Sequence, residues 1–203
     1  MITHLKRALP ALAILMSFGA PALAANYEID SDHTSIGFTI RHLVISKVKG
    51  KFGKFKGNFE YDPQKKENWK ANVTIQADSI DTDVKERDKH LRSADFFDVK
   101  KFPLITFVTT GVKDVSDSSA KIEGNLTIHG VTKAIVLDVE IGGTATDPWG
   151  NKKAAFSAST KINRKDFGLT WNKALEAGGV LVGNEVTINL EVEGLEKAPT
   201  TKK

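Results

Sequence analysis

The chain predicts an all-β fold, about eight antiparallel strands closed into a barrel, with one short helical insert near residues 84–93. Three observations carry this prediction. Residues 120–141 outline a hairpin: Ile122, Gly124, Leu126 and Ile128 alternate with polar residues, and after His129-Gly130 the alternation resumes through Ile135, Leu137, Val139 and Ile141. Period-two patterning buries one strand face and wets the other, and a Gly supplies the positive φ of a tight turn. The same alternation returns along the rest of the chain, so this hairpin, unstable alone, has partners. The patterned runs approach ten residues, which favours a barrel, whose closure removes exposed edges.

Taken in order, the chain opens with Lys6 and Arg7, an apolar run over 8–20 and the small-x-small string Ala22-Leu23-Ala24. This is the composition of a secretory signal peptide over 1–24, with cleavage expected after Ala24 and export to the periplasm. Residues 25–195 then form one barrel domain, and 196–203 a polar tail. Asn26–Asp30 and Ile36–Ile40 read as strands separated by the turn formers Asp32 to Ser35. Lysines alternate with Val48, Gly50 and Phe52, after which Gly53 shifts the register so that Phe55, Gly57, Phe59 and Tyr61 face inward, the mark of a bulge or bend. Ala71, Val73, Ile75 and Ala77 face inward on the next strand.

Residues 79–98 break the pattern. They are dense in charge, and Val84, Leu91 and Phe96-Phe97 suit one side of a helix from about Val84 to Ser93, lying over one end of the sheet. Leu104–Thr110 returns to strand behind Pro103. After the central hairpin, Asp147 to Asn151 turns the chain, and Phe156, Ala158, Thr160 and Ile162 resume alternation. Residues 163–171 read as an irregular connection, and Val186, Ile188, Leu190 and Val192 face inward on the last strand.

Composition narrows the function. There is no Cys, and 29 basic against 25 acidic residues leave little net charge, so neither disulfides nor nucleic-acid binding is suggested. Large inward residues sit among very small ones, Ala71, Ala77, Gly124 and Ala158. This mixture predicts unfilled space, with relief of crowding where a barrel tapers as the alternative. A dry cavity of this kind suits an apolar chain, each buried methylene contributing roughly 0.8 kcal/mol.

Seven strings taken together resemble the YceI family of lipocalin-like, polyisoprenoid-binding bacterial proteins. They are residues 32–42 (DHTSIGFTIRH), the Gly50/Phe52/Phe55/Gly57 spacing, 87–98 (RDKHLRSADFFD), 102–107 (FPLITF), 124–133 (GNLTIHGVTK), 147–150 (DPWG) and 163–168 (NRKDFG). The resemblance implies an eight-stranded, lipocalin-like extended barrel whose interior holds a long isoprenoid or similar lipid, a ligand rather than a cofactor. Candidate lining residues are Phe38, Ile40, Phe59, Ile75, Phe107, Leu126, Leu137, Phe156 and Ile188.

The polar candidates for a headgroup at the barrel rim are Arg41, His42, Arg87, His90 and Arg92. Asp88 and Arg92 stand four apart on the expected helix, as an ion pair would, and such pairs could instead fasten the insert to the rim. His33, His42 and His129 lack metal-site spacing and read as turn or rim residues, so no metal is expected. Ser35 lacks a nucleophile elbow. A hydrolase or isomerase using His90 with Asp88 is the enzymatic alternative, and a non-catalytic interaction module the third. Lys47, Lys49 and Lys51 line one strand's outer side, a solvated face or a weak contact with anionic membrane. A monomer or a homodimer fits the sequence equally.

Overall fold

The structure is a computed structural model that describes residues 24–175 and 179–198. The expected leader lies almost wholly outside these residues, as does most of the expected tail. Eleven strand segments build eight staves. β1 (Ala25–Ile29) and β2 (Ser35–His42) lie end to end along β11 (Val182–Glu196), pairing with Gly194–Glu196 and with Val182–Glu191 respectively. β3 (Ser46–Phe52) and β4 (Phe55–Tyr61) repeat the arrangement on β2 and β1, bent at Gly53-Lys54 where the register shift was predicted. β5 (Lys70–Gln76) and β6 (Ile80–Asp81) form the third bent stave, broken by a 3-10 turn at Ala77–Ser79. Single long strands follow: β7 (Leu104–Lys113), β8 (Ser119–Ile128), β9 (Val131–Thr146) and β10 (Lys152–Asn163).

Each stave is antiparallel to the next in chain order, and β11 returns to β1 and β2, so the barrel closes. Between β6 and β7 the ladder is open. There the charged insert folds as α1 (Lys85–Leu91), a residue or two inside the predicted limits. The last strand runs through Glu196, one residue into the expected tail, and Lys197 N–H still donates to Asn26 O at 2.8 Å.

Two turns show opposite economies. His129 (φ 52°) and Gly130 (φ 75°) both hold positive φ, the two-residue turn whose twist matches the flanking strands. The β2–β3 connection places Leu43 (φ 53°) and Val44 (φ 67°) in the same left-handed region with no glycine, at about 1–2 kcal/mol per residue.

Three glycines seat aromatic rings, Gly124 and Gly50 from the adjacent strand and Gly194 from β4, one strand further on. A Cβ on Gly124 would stand 2.3 Å from Phe107 Cζ, one on Gly50 2.4 Å from Phe38 Cζ and one on Gly194 2.4 Å from Phe59. Gly124 was expected to mark empty space. It marks the opposite, a ring lying flat on bare backbone. The barrel's empty space lies elsewhere, along its axis.

Candidate functional site

One end of the barrel is solid. Tyr27, Phe59, Tyr61, Trp69 and Phe156 are all buried, and their ring centroids lie 4.5–5.3 Å apart in stacked, tilted and edge-to-face pairs. This packing, worth about 0.5–1.5 kcal/mol per aromatic pair beyond area burial, makes a floor. Above it runs a cavity of about 520 Å³, within the ~300–1,000 Å³ usual for small-molecule sites. Phe38, Ile40, Ile75, Phe107, Leu126, Leu137 and Ile188, seven of the nine residues put forward as lining, border this cavity. Phe59 and Phe156 do not. They face inward as their alternation requires, but at the level of the floor.

The insert and the connection before β11 supply walls that alternation did not reveal. Leu91, Phe96 and Phe97 close the gap between β6 and β7, and Leu169, Trp171, Leu181 and Val182 close the side beside β10 and β11. Among the lining residues Arg41 and Glu86 are exposed, so the cavity reaches solvent there, between the β2–β3 hairpin, α1 and residues 171–175 and 179–182.

Polar groups gather at this mouth. Arg41, His42, Arg87 and His90, four of the five rim candidates, border the cavity together with Thr82, Glu86 and Arg164. Arg92 does not, because its guanidinium is spent below the rim, donating to Asp78 O at 2.6 Å and to Ile80 O. No Asp88–Arg92 ion pair forms among the described residues. Asp88 is buried and accepts from Thr82 N–H at 2.9 Å and from Thr82 Oγ1 at 2.5 Å, while Arg87 Nε donates to the same hydroxyl at 2.8 Å. The insert is thus fastened to the barrel by hydrogen bonds to the backbone and hydroxyl of Thr82 and to the carbonyls of Asp78 and Ile80.

The pairing of His90 with Asp88 is not formed. Two residues apart on a helix point to different sides, and His90 Nε2 instead meets Asp95 Oδ2 at 2.8 Å. Its ring stands edge-on to both Phe96 and Trp171, at centroid distances of 5.1 and 4.8 Å. His90 is therefore a packed wall residue with one polar edge.

Arg164 had no role in the sequence reading, yet it is 3% exposed. It opens the 3-10 turn Arg164–Phe167, and its guanidinium donates to Leu169 O, to Gly183 O at 2.8 Å and to Val182 O at 3.5 Å. Burial pulls its pKa below the usual arginine value, and the guanidinium remains charged. With Arg41 and Arg87 it outweighs Glu86, so the mouth of an otherwise apolar cavity is electropositive.

A second cluster lies outside the cavity. Asp30, His33 and Glu193 offer three ligand-type atoms within 4.8 Å of one another, a grouping invisible in sequence because Glu193 is far along the chain. Its charges are already matched. Lys153 Nζ lies 2.6 Å from Glu193 Oε1 and 3.5 Å from Asp30 Oδ2, and His33 Nδ1 lies 2.8 Å from Asp30 Oδ2. The His33 hydrogen bond, more than burial, sets the Asp30 carboxyl, and holds it below its ordinary pKa. A depressed folded value stabilises above the unfolded pKa near ~3.9 and is lost as pH falls through the lower folded one. Asp30→Asn should thus cost up to about 1 kcal/mol at neutral pH, the group being only partly covered. In urea titrations the gap from the parent should close as the pH drops below the carboxylate range. A gap that widens in acid contradicts this sign.

The chain belongs to the YceI-like domain family, whose model matches residues 27–194. It is 42% identical over 188 residues to Protein YceI of Salmonella newport, covering 92% of this chain and 95% of that one. Among solved structures, the Campylobacter jejuni YCEI protein superposes with a TM-score of 0.67 at 38% identity, over 78% of this chain and 90% of that chain. A polyisoprenoid binding domain from Saccharophagus degradans shares the fold alone, with a TM-score of 0.60 at 13% identity over 87% of this chain and all of that one.

Proposed function

We propose that this YceI-like protein is a periplasmic carrier that shields one long isoprenoid chain, of a quinone or a polyprenyl phosphate, from water. The observation that carries the reading is the cavity itself: about 520 Å³, walled by aliphatic and aromatic side chains, floored at one end and open at the other. The hydrocarbon occupies the lumen along Leu126, Leu137 and Ile188, and the polar head rests at the mouth among Arg41, His42, Arg87 and His90. Affinity comes from carbon, since one five-carbon unit contributes about 4 kcal/mol before ordering costs. That the Saccharophagus degradans domain of the same fold is described as polyisoprenoid binding supports the choice of ligand class. The use of Asp88 and His90 as fastening and wall residues supports a binding role rather than a catalytic one built on that pair. The composition of residues 1–24, that of a secretory leader, supports export.

The test is mass spectrometry of the organic extract of natively purified protein. A stoichiometric polyprenyl or quinone lipid is the expected result. A folded protein that carries no lipid, and takes up neither polyprenyl phosphate nor ubiquinone when they are supplied, overturns the reading.

A further inference from the structure

The tip of the β2–β3 hairpin sets three aliphatic residues in a row into water. Leu43, Val44 and Ile45 are 36%, 60% and 82% exposed. A turn with two positive-φ positions is most easily made with Gly or Asn, so the chain accepts backbone strain to hold apolar side chains there. The tip also stands on the rim of the cavity. Arg41 and His42, just before it, border the cavity, as do Leu181 and Val182, and Leu43 N–H donates to Leu181 O at 2.9 Å.

Val180, 39% exposed, adds to the apolar patch from the adjoining segment, whose Leu181 O accepts from Leu43 N–H. Behind the tip, on the outward face of β3, Lys47 and Lys49 are exposed, and neither has an acidic partner among the described residues; Lys51, further back, pairs with Asp81 at 4.0 Å. Aliphatic side chains leading and ammonium groups following is the arrangement that suits entry into a bilayer interface, with the lysines level with anionic phosphates. The charge flanking the patch selects a negatively charged surface, and its place beside the cavity selects one that contains hydrocarbon.

We propose that the β2–β3 hairpin is an insertion wedge that seats the cavity mouth on an anionic phospholipid bilayer, so that a lipid chain passes between membrane and barrel without crossing water. The proposal rests on the carrier reading for its purpose, while the docking can be measured without it. The probe is co-sedimentation with vesicles of phosphatidylcholine and phosphatidylglycerol, against phosphatidylcholine alone.

The double variant Val44→Asn/Ile45→Ser should lose about tenfold or more of its vesicle affinity. Its melting temperature should hold or rise, because Asn tolerates positive φ better than Val. A merely structural tip would show the reverse. Lys47→Gln/Lys49→Gln should weaken binding to the anionic vesicles several-fold and leave the neutral ones unchanged.

Equal binding by parent and tip variant overturns the proposal, as does a parent that binds neither vesicle. So does a dimer that dissociates in the tip variant, which would assign the patch to a second copy of this chain. Lipid extracted from the same samples separates the two readings: a parent without lipid fails as a carrier whatever the vesicles show, and a lipid-loaded parent that ignores vesicles fails only here.

Discussion

A Leu126→Trp/Leu137→Trp double variant will purify folded and without its lipid. Both leucines are buried members of the barrel's inner face, and both border the cavity. Indoles in their places point into the lumen rather than into packed neighbours, so the usual overpacking cost of about 1–3 kcal/mol should be partly avoided. The ligand loses the corresponding space. Excluding one five-carbon unit removes about 4 kcal/mol of transfer free energy, roughly three decades of affinity. The measurement is lipid per protein in organic extracts, alongside a thermal melt. Phe156→Trp is the control, because Phe156 sits in the floor against Trp69 and Tyr61. It should disturb stability and leave lipid content unchanged. Normal lipid loading in the double variant would remove the lumen from the mechanism.

The second large effect is on stability. Arg164→Ala strips the hydrogen-bond donors from Leu169 O and Gly183 O and the longer contact to Val182 O, where Arg164 and Leu169 are buried and Gly183 and Val182 half-buried. Each stranded buried acceptor costs about 1–3 kcal/mol, so a total near ~3–5 kcal/mol is expected. That is a large share of the roughly 5–15 kcal/mol that holds a typical domain. For a domain of this size it corresponds to a drop of about 10 °C or more in melting temperature. Arg164→Lys should recover only a part, since one ammonium cannot reproduce the planar fork. An unchanged melt for Arg164→Ala would show that the guanidinium does not join the 3-10 turn to the start of β11.

Most of the barrel was legible because nearly every stave has one dry face and one wet one. Alternation tells which side of the wall a residue occupies. It does not tell how far along the axis, and for that reason Phe59 and Phe156 read as lining when they form the floor. Gly124 misled for a related reason: a small residue leaves room, but only the register, which sets it against the strand carrying Phe107, says that the room is taken by that ring.

The mouth was harder to read. Residues 163–182 follow no period, so Leu169, Trp171 and Leu181 gave no face to assign. Arg164 sits inside a polar string with nothing to mark it as buried, and only folding wraps backbone carbonyls around it. His90 lay among the rim candidates, but its partner Asp95 lies past the end of α1, where helical spacing no longer applies. The positive φ of Leu43 and Val44 had no sequence signal at all, since the residues at those positions are the ones that least favour it.

The most direct test of the central claim is a crystal structure of the protein as purified, read for electron density inside the barrel. The account predicts one continuous tube of density running from above the Phe156 floor, past Leu137 and Leu126, to a polar end between Arg41 and Arg87. A lumen filled by ordered water, or collapsed by its own side chains, would contradict it.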